Sequence, residues 1–389
     1  MKLFFETCYG SLNKHDEELC GDKVELRKQG GDTFLVLADG LGSGVKANIL
    51  ASLTSKIVIT MLSEGADITD IIETMSATLP ICSERQVAYS TFTFLHADDR
   101  GRIHIVEYDN PQAIVLRGGK ALPLDWERHE IGDKVIREAN LDVRPGDQCV
   151  IISDGVIHAG VGRSLNLGWQ HKNVVEYLEN SYRKDGTAHS VQNLLLSACS
   201  NLYMGSPGDD TTVAVCQARM PNVAYIMVGP PVNADEDGKL VGEFLKYEGT
   251  KIVCGGTTSQ IVSRLSGKEL RTDLSYVTPT VPPIGYIDGI DLVTEGIVTL
   301  GETLNLLKRY EQNTVGRSNM LGQRGDGATL LARMLLERCT GVKFLVGRAL
   351  NPAHQNPGMS INLNIKLNLV NEIVACLKRM DREVDVEYH

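Results

Sequence analysis

The sequence predicts an α+β fold over about the first 219 residues, followed by a smaller α/β domain. Three patterns carry that expectation. Two apolar runs, Leu35–Ala38 and Cys149–Ile152, lead into Asp39-Gly40 and, one residue later, into Asp154-Gly155; each reads as a buried strand that presents a carboxylate at its end. A pair of helical patterns then precedes antiparallel strand signals, the order of an α+β fold rather than a doubly wound sheet. After Met220-Pro221, strand and helix patterns alternate, as in a small α/β unit.

Taken in order, residues 2–9 and 22–28 read as strands, and residues 33–39 as the strand the rest is organised around. Beyond Gly44, Val45, Ile49, Leu50, Leu53, Ile57 and Met61 recur at steps of three and four and predict a helix over 44–62 with these residues as its face. A second helix is expected over 67–79. Thr91–Leu95 and Ile103–Tyr108 form a hairpin around Asp98-Asp99-Arg100-Gly101, and Ala113–Leu116 is expected to continue the meander. Leu141–Asp147 reads as a turn before the second buried strand, helices follow over 172–182 and 189–202, and Gly208-Asp209-Asp210 opens a β-branched strand from Thr211.

The 389 residues are 42% hydrophobic and 23% charged, with a net charge of −10. The composition is that of a globular protein, and its sign disfavours general binding to nucleic acid or to an anionic membrane. No run of about 18 apolar residues signals a membrane span, and the apolar segment of the first seven residues is too short for a signal peptide. Nine cysteines without a C-x-x-C pair, several of them (Cys149, Cys216, Cys254) in apolar surroundings, suit reduced thiols in a cytoplasmic protein. The nine histidines show no zinc spacing.

Two ligands would account for Asp39-Gly40-Leu41-Gly42-Ser43-Gly44. A phosphate on a glycine-rich helix N-terminus is one, but the third glycine falls one residue early for a dinucleotide fingerprint and Asp39 sets a negative charge directly before the loop. A hard divalent cation, which takes carboxylate and carbonyl oxygens, is the other. It predicts further aspartates at strand ends, and Asp154, Asp209 and Asp22 stand at such places. Gathered without a counter-ion they would raise one another's pKa, a cost that cations remove.

The order Gly21-Asp22, then Asp-Gly-x-Gly-x-Gly before a helix, then Ser153-Asp154-Gly155, then Gly208-Asp209-Asp210-Thr211-Thr212-Val213 resembles the metal-dependent protein serine/threonine phosphatases (PPM, type 2C), and most of all their bacterial sporulation stage II (SpoIIE-like) branch, over residues 1–219. Tyr108-Asp109-Asn110-Pro111-Gln112 and Val115–Gly119 resemble a further segment of that branch, with Asn110 where histidine is usual. The resemblance implies an αββα sandwich and two Mn²⁺ or Mg²⁺ ions. Asp39 would bridge both, Asp154 and Asp209 would complete one, and Asp22 and the Gly40 carbonyl would serve the other, so that Asp39, Asp154 and Asp209 carry catalysis. Leu41 stands where the eukaryotic branch has a histidine acid, and His158 reads as a surface residue near a place where relatives carry an acidic one. Lys14, Lys46 and Arg117 are candidates for a substrate-phosphate clamp.

The implied activity is hydrolysis of phosphoserine or phosphothreonine in a protein, with a small regulator of the anti-sigma-factor-antagonist type as a plausible substrate; no nucleic acid or membrane partner is expected, and a homodimer stays open. The alternatives are an inactive regulatory or binding module of the same fold, or a nucleotide site at Gly40–Gly44. In residues 220–389 the resemblance ends. Strands at 224–228, 251–254 and 342–346 and helices over 236–247, to about 309, 327–338 and 362–380 are expected, with 361–369 also patterned as a strand. Gly255-Gly256-Thr257-Thr258-Ser259 is either a tight turn or an anion cradle, and Thr278–Gly285 reads as a Pro-rich loop. A regulatory or ligand-binding role is expected.

Overall fold

The computed structural model describes residues 2–78, 90–131, 134–184, 186–273, 282–312, 325–349, 359–380 and 382–389. They divide into two compact units, Met1–Met220 and a second that starts at Pro221 and ends at His389. Residues 79–89, Thr278–Val281 of the Pro-rich loop and Cys82 lie outside the described residues.

The first unit is built on two antiparallel sheets. One contains β2 (Asp22–Gln29), β3 (Asp32–Gly40), β4 (Ser90–Ala97) and β5 (Arg102–Tyr108), closed by β9 (Lys134–Asp142) and β8 (Glu127–Ile131). The other runs β1 (Phe4–Leu12), β11 (Thr211–Arg219), β10 (Gln148–Ile152), β6 (Ile114–Arg117) and β7 (Lys120–Leu122). Period-two alternation makes the central strands apolar on both faces. Leu35 and Leu37 pack with Ile151, Ala214 and Cys216 between the sheets. Phe34, Val36 and Ala38 turn the other way, toward α1 (Gly44–Ser63) and α2 (Ile68–Thr78). Val150 and Ile152 face α4 (His171–Asn180) and α5 (Ala188–Leu202). The layers are helix, sheet, sheet and helix, an αββα sandwich, as the resemblance implies. Each buried Val, Leu, Ile or Phe among them contributes roughly 1.5–3 kcal/mol.

Three expectations need correction. The first concerns α1, which forms where predicted but buries a different face. Ala47, Ala51, Thr54, Ser55 and Val58 meet the sheet, while Val45, Ile49 and Leu53 are exposed. The reason is distance: a Cβ on Gly40 would lie 2.0 Å from the Ala47 carbonyl oxygen, so only small side chains fit at the contact. By length and composition α1 would suffice to cross a membrane; here its small-residue face is packed on β3. Gly40→Ala must therefore push α1 off the strand, and a loss of about 1–3 kcal/mol or more is expected in denaturant unfolding.

The second concerns the meander, which β6 does not continue. After β5 the chain turns through Asp109, at φ 50°, and β6 pairs with β10 in the other sheet. The buried Glu107 carboxylate holds the crossover by accepting from the Ala113 N–H at 2.6 Å, with Arg137 3.1 Å away. β5 pairs instead with β9, whose mixed charged sequence gave no strand signal. The third correction is to Asp154, which is not the last residue of a strand but the first of a short helix, α3 (Asp154–Ile157).

In the second unit β12 (Val223–Val228), β13 (Thr250–Cys254), β16 (Leu292–Thr294), β17 (Gly341–Val346) and β18 (Glu383–Tyr388) form a parallel sheet in the order β16-β13-β12-β17-β18. β14 (Arg271–Asp273) and β15 (Ile284–Tyr286) add an antiparallel edge. One face is covered by α6 (Asp237–Lys246) and α7 (Gly256–Ser266) through Leu240, Phe244 and Val262. The other is covered by α8 (Ile297–Gln312), α9 (Gly327–Arg333) and α10 (Met359–Arg379) through Leu304, Leu331 and Ile373. This is a doubly wound α/β unit. Residues 361–369 are helical, and β16 and β18 are strands that the pattern did not single out.

Candidate metal centre

The four aspartates expected at the site arrive from both sheets of the first unit. Asp22 and Asp39 are direct cross-strand partners on β2 and β3, pinned by the Gly40 N–H donating to the Gly21 carbonyl at 3.1 Å. The Ser90 hydroxyl holds the Asp39 carbonyl at 2.6 Å. From the other sheet, the Ser153 N–H donates to the Thr212 carbonyl at 3.0 Å and the Thr212 N–H to the Ser153 hydroxyl at 2.8 Å, which ties the start of α3 to the start of β11. Gly155 is required there, because a Cβ would fall 2.0 Å from the Asp210 carbonyl oxygen. Tyr203 donates its hydroxyl to the Gly155 carbonyl at 2.7 Å and braces the same corner.

The electrostatics record how close the carboxylates come. Burial pushes the Asp39 carboxyl up to about 10, reinforced by the charges of Asp22, Asp154 and Asp209 and by a hydrogen bond with Asp154. Asp22 is pushed up to about 7, first by burial and then by Asp210 and Asp154, while the hydroxyls of Thr212 and Ser153 temper the rise. Those hydroxyls face Asp22 without completing a well-formed bond: neither of its buried side-chain oxygens has a hydrogen-bond partner among the described residues. Asp209 is raised by burial and by Asp154, with Lys14 acting against the shift.

The structure adds Asp210 to the group. It is 4% exposed; one oxygen accepts from the Lys14 N–H at 3.0 Å and the other is buried without a partner. Its signal in the sequence was the Asp-Asp doublet running straight into a strand. Among the described residues, no three His, Cys, Asp or Glu side chains are drawn tightly enough together to coordinate an ion as they stand. The carboxylates share one corner at charge–charge range.

Other candidates lie elsewhere or are otherwise engaged. Arg117 is clamped on Asp147 at 2.7 Å and on the Asp142 carbonyl, and is not a free phosphate clamp. His158 is exposed at the end of α3. Lys46 is exposed on α1. Asn110 is buried and donates to the Thr93 hydroxyl and the Ile152 carbonyl, a bridge between the sheets. Gly42 and Gly44 take φ of 103° and 67°, where side chains are strained. The Glu17 carboxylate lies against Gly44 and accepts from the Ser43 hydroxyl at 3.0 Å, so an anion of the chain itself already stands at the α1 N-terminus.

Residues 29–219 match the model of a family described as Stage II sporulation protein E (SpoIIE). The chain is 21% identical over 209 residues to Stage II sporulation protein E of Priestia megaterium, a match that takes in 50% of this chain and 34% of that protein. The chain thus spans about a third of the length of that relative. The phosphatase domain of the cell fate determinant SpoIIE from Bacillus subtilis is 18% identical, with 56% of this chain and 93% of that one covered at a TM-score of 0.44. RsbX in complex with magnesium is 19% identical, with 55% and 95% covered at a TM-score of 0.39.

Proposed function

We propose, from the match of residues 29–219 to the model of the SpoIIE family, that the first unit is a phosphatase domain of that family and that the chain is a metal-dependent phosphatase acting on phosphoserine or phosphothreonine of a protein. The observation that carries the reading is Asp22: a carboxylate 5% exposed, neither oxygen hydrogen-bonded among the described residues, set opposite Asp39, which itself feels Asp209, and beside Asp154 and Asp210. A buried carboxylate without donors is costly, and an all-oxygen cluster of this kind is the donor set of Mn²⁺ or Mg²⁺. The residues that would hold two such ions are Asp39, Asp22, the Gly40 carbonyl, Asp154 and Asp209, with Asp210 behind Asp22. Bound there, the ions would supply Lewis acidity toward a phosphoryl group and lower the pKa of water.

The chain's own part is to hold the carboxylates on rigid backbone and to orient the phosphate. Lys14 is the cation whose charge reaches the cluster, through Asp209, and it is the strongest of the three clamp candidates. Leu41 offers no proton for the departing seryl oxygen, which leaves water as the acid. By family likeness the substrate is a small phosphorylated regulator of the anti-sigma-factor-antagonist type.

Hydrolysis of p-nitrophenyl phosphate and of a phosphoserine peptide tests the reading. Activity with Mn²⁺ that is lost on chelation and restored by added metal is expected. No turnover, with the fold intact, would leave the inactive binding module, and turnover indifferent to chelation would remove the metal. Nucleotide binding at Gly40–Gly44 is opposed by the Glu17 carboxylate already at that helix end.

A further inference from the structure

The second unit carries a cleft that the phosphatase reading does not use. In its sheet the winding reverses between β12 and β17: the connections from β12 run outward to β13 and β16, and those to β17 and β18 run the other way. At such a switch point the loops diverge and open a crevice at the carboxyl ends of the strands. A cavity of about 440 Å³ lies there, bounded by Gly229 after β12, Gly255 and Thr258 after β13, Glu295 after β16, Ala349 after β17 and Lys366 of α10. That volume is within the range of small-molecule sites.

The polar groups around it are set for an anion. α7 begins at Gly256 and α8 at Ile297, both at the cleft wall. No side chain caps the first of these helices, so the N–H groups of its first turn remain to be satisfied. The Thr258 hydroxyl belongs to a side chain only 2% exposed that lines the cavity, and it makes no hydrogen bond within the described residues. Gly255, at φ 120°, leaves that hydroxyl uncovered: a Cβ would come within 3.2 Å of it. Lys366 is half-buried, donates to the Gly347 carbonyl and makes no ion pair among the described residues. A Cβ on Gly229 would lie 2.5 Å from its ammonium, so that glycine gives the cation its place in the cleft. Burial lowers the Lys366 pKa, as expected of a cation lacking a counter-charge. The remaining wall has two characters: Pro230, Leu300 and Leu363 are apolar, and the exposed Glu295 is a carboxylate that stands at the first residue of α7, 3.3 Å from where a Cβ on Gly256 would lie, and is able to accept from hydroxyls.

We propose that this cleft binds a small organic phosphate of mononucleotide size. The phosphate lies between Lys366 and the Thr258 hydroxyl, the ring against the apolar wall, and the sugar hydroxyls toward Glu295 at the first residue of α7. The site belongs to the second unit alone and does not rest on the phosphatase assignment.

Calorimetric titration of the full chain with AMP, GMP and inorganic phosphate tests this, with Asp39→Asn as the background so that the cluster in the first unit does not consume or hold the probe. Saturable binding of a mononucleotide is expected, weakened roughly tenfold or more by Lys366→Gln and by Thr258→Val, since each removes a bond to a charged group. Thr258→Val keeps the shape of the side chain and guards against a fold defect in the lysine variant. No saturation by either nucleotide at about 10 mM would overturn the proposal. So would nucleotide binding unchanged in both variants. Inorganic phosphate binding as tightly as the nucleotides would overturn the organic body.

Discussion

Asp39→Asn is expected to remove phosphatase activity by on the order of a thousandfold while leaving the fold intact. Asp39 feels the charges of Asp22, Asp154 and Asp209 together, and the proposed function assigns it to both ions. Loss of several kcal/mol of transition-state stabilisation, at about 1.4 kcal/mol per tenfold, gives that magnitude. The second half of the expectation separates this from damage. The amide is nearly isosteric, and it ends the charge repulsion and desolvation that push the carboxyl up to about 10. The metal-free variant should therefore melt a few degrees higher than the metal-free parent, by about 1 kcal/mol or more. A variant that loses activity and also melts lower would have lost its packing rather than its metal.

The second large effect is the pH dependence of stability and its reversal by metal. Asp22 and Asp39 hold their protons more tightly folded than unfolded. Rising pH therefore favours the unfolded chain, over a window that runs from the unfolded carboxylate value near 4 to about 7 for Asp22 and about 10 for Asp39. Under chelation, the melting temperature should fall between about pH 5.5 and about pH 8 by several degrees. Mn²⁺ at about a hundred times its dissociation constant should restore about 2.7 kcal/mol at the upper pH, a rise of roughly 5–10 °C. At the lower pH protons occupy the same oxygens, and the rise should be less than half as large. A metal effect equal at both would mean that the ion binds away from these carboxylates.

Much of this was legible before any coordinates. Asp39, Asp154 and Asp22 were marked by apolar strands ending in Asp-Gly or starting at Gly-Asp, because a rigid strand end that carries a charge leaves both periodicity and punctuation in the sequence. The face of α1 was not legible: Val45, Ile49 and Leu53 have the spacing of a buried stripe, yet the close approach at Gly40 selects the small residues instead. Tertiary distance decided, and sequence periodicity does not encode it. β8, at the sheet edge, and β9 beside it escaped because their mixed charged sequences gave no strand signal. The departure of β6 to the other sheet depended on the Asp109 turn and on one buried carboxylate, Glu107, reaching a backbone N–H. Asp210 was visible only as the neighbour of Asp209; that it faces Asp22 from the opposite sheet is a fact of the fold. In the second unit the Gly255–Ser259 turn was visible, but Lys366, more than a hundred residues away, could be joined to it only by the sheet order.

The most direct measurement is the number of Mn²⁺ ions bound per chain, by equilibrium titration or anomalous scattering, in the parent and in Asp39→Asn. Two ions in the parent, at the oxygens of Asp22, Asp39, Asp154 and Asp209, and neither in the variant is the predicted result. Mn²⁺ bound equally by both chains, or by neither at millimolar concentration, would contradict it.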